Sequence, residues 1–108
     1  MDVIAADTVS VLQEKAAEVA RVMKLLGNEN RLLLLCHLAR RGEVTVGALA
    51  DAVGLSQPAL SQHLALLRED GLVATRREAQ AVHYRIADPR VGSLLSFLHD
   101  TYCDIGKA

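Results

Sequence analysis

Cys36 and Cys103 are the two thiols of the chain, and they stand on either side of a segment, Val46 to Asp70, patterned as two short helices joined by a tight turn. Paired cysteines can bind metal, form a disulfide or take sulfur from a small oxidant, and in each case the thiolate is the reacting species. Every one of these chemistries needs the second thiol within reach, which spacing in sequence does not establish. Taken alone, Cys36 reads as a small buried hydrophobe, because it follows the four leucines Leu32 to Leu35. Catalysis finds little support. Cys36 and His37 are neighbours, and neighbours on a helix point about 100° apart, so they do not make a nucleophile and base pair. There is no glycine-rich phosphate loop and no complete metal motif, so neither an enzyme nor a resident cofactor or metal is expected.

The elements that must position the thiols follow from periodicity. Leu12, Ala16, Val19, Met23 and Leu26 recur every three or four residues, which predicts an amphipathic helix from about Thr8 to Leu26. Asn28 is placed to cap a second helix running through Leu38 before Arg40, Arg41 and Gly42; its nearly continuous apolar surface makes it central. Val46, Leu49, Ala50 and Val53 give a short third helix. Gly54 permits the turn, Ser56 caps the fourth helix, and Pro58 fits its first turn.

In that fourth helix Leu60, Leu64 and Leu67 must face the core, leaving Pro58, Gln62 and Ala65 outside with Ser61 on the flank. A small, hydrogen-bonding face suits the DNA major groove, where amides and hydroxyls read base edges. Gly71 ends the helix. Leu72 to Arg77 and Ala81 to Ile86 then read as two strands joined at Glu78-Ala79-Gln80, a hairpin that carries Arg76, Arg77, His83 and Arg85 beside the reading helix. Ser61 and Gln62 are the candidates for base readout, with His63, Ser56 and Gln57 near the same surface. The wing residues Arg76, Arg77, His83 and Arg85 are candidates for phosphate. Asp88 and Pro89 open a last helix with Val91, Leu94, Leu95, Leu98 and Tyr102 on one face. The first and last helices both present apolar stripes that need cover, which argues for a dimer.

The whole predicts one domain, residues 1 to 108, mainly α with a small β-hairpin wing: five helices and two strands in a winged helix-turn-helix. Only Phe97, Tyr84 and Tyr102 are aromatic, so the core is leucine, valine and alanine. No apolar run reaches the roughly 20 residues that span a bilayer, and MDVIAADTVS lacks the regions of a signal peptide, so a cytoplasmic protein is expected. A structural disulfide is disfavoured in that compartment. The net charge of -1 does not favour indiscriminate DNA coating, but the charge is unevenly spread. Residues 1 to 30 are acidic, whereas Arg68, Arg76, Arg77, Arg85 and Arg90 outnumber the acids around them.

The order of elements, together with SQPALSQHLALLREDGLVATRREAQAVHYRI and LGNENRLLLL, resembles the ArsR family of winged helix-turn-helix repressors over roughly residues 10 to 103. The resemblance implies a homodimer, joined through its first and last helices, that binds double-stranded operator DNA as an inverted repeat. Metal sensors of the family open the third helix with Cys-x-Cys, where this chain reads Val44-Thr45-Val46. Their final-helix site needs acidic and histidine ligands, where it offers Asp88, Arg90, His99 and Tyr102. Cys36 and Cys103 instead resemble the dithiol of the sulfide-responsive subgroup, which implies release of DNA when reactive sulfur species link the thiols. Two other readings stay open: a metal-responsive repressor with unfamiliar ligands, and a winged-helix module that binds protein.

Overall fold

Four helix starts in the chain are fixed by a side-chain oxygen that accepts a backbone N–H otherwise left without a partner. In the computed structural model, which describes residues 6 to 103 and side chains from residue 9, the elements are α1 (Ala6–Leu26), α2 (Glu29–Arg41), β1 (Glu43–Thr45), α3 (Val46–Val53), α4 (Gln57–Glu69), β2 (Val73–Glu78), β3 (Ala81–Ile86) and α5 (Pro89–Tyr102). Asn28 accepts from the Arg31 amide at 3.1 Å, Thr45 from Ala48 at 3.3 Å, Ser56 from Ala59 at 3.3 Å and Asp88 from Arg90 at 2.9 Å. Arg31 adds a second tie, its Nε donating to the Leu25 carbonyl at 2.8 Å, which satisfies an acceptor at the end of α1.

The core is aliphatic. Leu34, Leu35 and Leu38 of α2 meet Leu49 of α3, Leu60, Leu64 and Leu67 of α4, and Val91 and Leu95 of α5, all buried. The three leucines expected to turn α4 inward do so. The central helix of the sequence reading is also central here: α2 packs against α1, α3, α4, α5 and the sheet. Helix α1 begins two residues before the expected Thr8 and buries only its end, at Leu25 and Leu26. Leu12, Val19 and Met23, which the same helical stripe contains, remain exposed, as do Phe97 and Tyr102 of α5.

The sheet corrects the expectation of two strands. A third, β1, pairs with the free edge of β3, giving the antiparallel order β1-β3-β2. Three residues are too few to show an alternating pattern, so β1 owes its conformation to pairing. The expected hairpin is otherwise present, with β2 starting one residue later than read and ending at Glu78, which pairs with Ala81. That leaves Ala79 and Gln80 as the loop, and Ala79 takes φ 55, the left-handed backbone that two-residue hairpins require.

Candidate nucleic-acid interface and thiol pair

Gly54, at φ 74, closes α3 in the left-handed conformation and lets α4 start three residues later. The turn holds Ser56 as a cap and presents Pro58, Ser61, Gln62 and Ala65 to the outside, all exposed. Gln57 is exposed at the start of α4, its amide nitrogen near Gly47 of α3. His63 is part-buried and sits about 200° around the helix from Ser61, on the other flank. The flank of α4 that carries Ser61 faces Tyr84 of β3 across a cleft of about 430 Å³ that Arg68 also lines. Arg68 and Tyr84 were not among the expected site residues. Arg68 lies seven residues beyond Ser61, two helical turns on the same flank, and that spacing was the available signal.

The register divides the wing residues between two faces. Val44, Tyr84 and Thr75 lie side by side, as do Thr45, His83 and Arg76 in the next row. Successive residues of a strand alternate faces, so Arg77 shares the face of Tyr84, toward α4, while Arg76, His83 and Arg85 share the opposite one. On that outer face Arg76 donates to Glu43 at 2.7 Å and to Glu78 at 3.3 Å, and His83 Nε2 lies 4.0 Å from Glu78. The hydrogen bond from Arg76 holds the Glu43 carboxyl below the usual carboxylate range. The four wing residues are thus divided between two faces.

Cys36 is part-buried on α2, in a groove walled by α2, the end of β3 and α5, and Cys103 is exposed at the end of α5. His99 lines the groove with Cys36, and the Cys103 amide donates to the His99 carbonyl at 2.8 Å. Cys103 therefore lies one helical turn beyond His99 on the same face of α5. Burial pushes the Cys36 thiol up, and the charge of Cys103 pushes it further. Both are free thiols.

The positions where metal sensors of the resembled family carry ligands are occupied by other interactions. Val44 is buried in the core and Thr45 is a helix cap. Asp88 caps α5 and receives Arg90 at 2.7 Å, and Arg90 also reaches Glu18 of α1 at 3.3 Å. The Arg90 hydrogen bond holds the Asp88 carboxyl below its ordinary range. Among the described residues no group of three or more His, Cys, Asp or Glu side chains is arranged to hold a metal ion.

Comparison with known proteins places this geometry. The transcriptional activator HlyU of Vibrio cholerae is 45% identical over 96 residues, covering 89% of this chain and 88% of HlyU. The structure of reduced HlyU matches with a TM-score of 0.80 at 44% identity, over 85% of this chain and 96% of that one. The transcriptional repressor BigR of Xylella fastidiosa matches with a TM-score of 0.83 at 38% identity, over 89% and 97% of the two chains. A homodimeric winged helix-turn-helix DNA-binding domain of Mycobacterium bovis, Mb0332, matches at 0.71 with 36% identity, over 94% of this chain and 89% of that one. A family profile described as "Bacterial regulatory protein, arsR family" covers residues 28–75, from the cap of α2 into β2. With relatives this similar over nearly their whole length, the chain belongs to the ArsR family of bacterial regulatory proteins.

Proposed function

We propose that this chain is a homodimeric, cytoplasmic repressor that binds an inverted-repeat operator when Cys36 and Cys103 are reduced and leaves it when reactive sulfur species link them. The observation that carries the switch is the convergence of α2 and α5: Cys36 lies in their groove, and Cys103 lies one turn past the groove residue His99. The uncovered apolar faces of α1 and α5 support the dimer, as does the homodimeric relative. Two copies of α4 then enter successive major grooves. Ser61 and Gln62 read base edges, with Ser56, Gln57 and His63 at the margins of that surface. Arg77 and Arg68 meet phosphates from the α4 side, while Arg76 and His83 serve the outer face of the wing and Arg85 lies at its base, lining the thiol groove. A covalent link between α2 and α5 biases the arrangement of the dimer, and a coupling of about 1 to 3 kcal/mol lowers operator affinity about fivefold to more than a hundredfold.

Intact mass after anaerobic treatment with polysulfide, read beside binding to the chain's own promoter DNA, tests this. The expected result is an intramolecular Cys36 to Cys103 link that releases DNA and is absent in Cys36→Ser and in Cys103→Ser. Unchanged mass with unchanged binding overturns the switch, and binding that survives the link overturns its control of DNA.

A further inference from the structure

The groove beside Cys36 encloses about 820 Å³, the range of small-molecule sites and more than two thiols need to meet. Its wall is apolar for the most part, and its ionisable groups apart from Cys36 are Arg40, Arg85, His37 and His99. No carboxylate is among the described residues that line it. Neither arginine has a carboxylate within ion-pair distance among the described residues. Glu43 lies opposite Arg85 in the sheet but outside the groove, so both arginines are placed to meet an incoming anion.

Building on the sulfur-switch reading, we propose that the groove selects low-molecular-weight persulfides bearing a carboxylate, with Arg40 and Arg85 binding that carboxylate while the sulfane sulfur meets Cys36. Arginine forks match carboxylates in geometry, and such charge-assisted pairs are stronger than neutral hydrogen bonds. In the reaction the Cys36 thiolate attacks the outer sulfur of RS–SH. The RS–S bond breaks, RS⁻ leaves and takes a proton as RSH, and Cys36 becomes –S–SH. The Cys103 thiolate then attacks Cys36 Sγ and expels hydrosulfide, which leaves as hydrogen sulfide. Two thiols are oxidised to a disulfide and one sulfane sulfur is reduced to sulfide, so electrons and protons balance.

The test compares the rates at which the full-length reduced protein is modified by the persulfides of 3-mercaptopropionate, 2-mercaptoethanol and cysteamine, followed by intact mass. The carboxylate persulfide is expected to react roughly tenfold faster than the neutral one, a difference of about 1.4 kcal/mol, and the ammonium persulfide slowest. That order is expected to collapse in 1 M salt and in Arg40→Gln/Arg85→Gln, and to reverse in Arg40→Glu/Arg85→Glu. Reversal is a signature that loss of structure does not produce, and the salt arm needs no variant. Equal rates in the wild type, or an order untouched by salt and by both variants, overturn the anion site and leave the sulfur switch standing. No reaction with any of the three overturns both.

Discussion

Arg76 Nη2 lies 2.7 Å from Glu43 Oε1, so β2 is pinned across β3 to β1, the strand that leads into α3. A guanidinium already shared between Glu43 and Glu78 has less of its charge to offer a phosphate than one with no acid beside it. Arg77, on the opposite face, has no such partner among the described residues.

Arg77→Ala is therefore expected to weaken operator binding more than Arg76→Ala. It should also lower the slope of log affinity against log salt by about one, the loss of one phosphate contact. Fluorescence anisotropy across a salt series checks this, and equal effects of the two substitutions would count against the division of the wing by face. The Glu43 tie holds at neutral pH. Because the folded-state pKa of Glu43 is depressed, the stability it contributes is present above the unfolded value and is lost only as pH falls through the folded one.

Ser61 and Gln62 are exposed and bear on no core contact, so their alanine variants should fold as the wild type does. Gln62→Ala is expected to reduce the preference for operator over unrelated DNA by about 1 to 3 kcal/mol and to leave nonspecific binding nearly unchanged. Leu64→Ala, on the opposite and buried face of α4, is expected instead to destabilise the fold by about 2 to 5 kcal/mol in urea. A Gln62→Ala variant that lost affinity equally for both DNAs would assign it to phosphate contact.

The thiol pair carries a pH signature. Cys36 should alkylate with a midpoint above that of an ordinary thiol, and more slowly than a free thiol at neutral pH. Cys103→Ser should lower the midpoint only in part, because burial is the larger cause and Cys103 the smaller. Iodoacetamide rates from pH 7 upward measure both, and a midpoint indifferent to Cys103 would place the sulfurs beyond electrostatic reach.

Disrupting the uncovered helix faces should divide the dimer. Leu12→Glu with Phe97→Glu alters two exposed apolar side chains that contribute nothing to the core. Sedimentation should show a monomer of unchanged helix content with greatly weakened operator binding, and a persistent dimer would move the interface elsewhere.

The legible parts of this protein are those in which one element carries its own pattern. Leu60, Leu64 and Leu67 gave the inward face of α4, and Ser56 and Asp88 marked helix starts, because caps and periodicity are local. Strand β1 was not legible, since three residues hold their conformation only through β3. The two faces of the wing were half legible: adjacent residues in a strand must point apart, so Arg76 and Arg77 already implied a division, but which face met α4 depended on packing. The groove was least legible, because α2, β3 and α5 contribute Cys36, Arg85 and His99 from distant parts of the chain.

Helix α2 has 13 residues, a rod of about 20 Å, and it touches α3, α4, the sheet and α5 at once. Under the proposed switch, a message that began at Cys36 would need no relay, since the bearer of the thiol is itself the floor on which α4 rests. Its range is the thickness of a single helix, and its fidelity depends on how rigidly three buried leucines, Leu34, Leu35 and Leu38, keep that floor level.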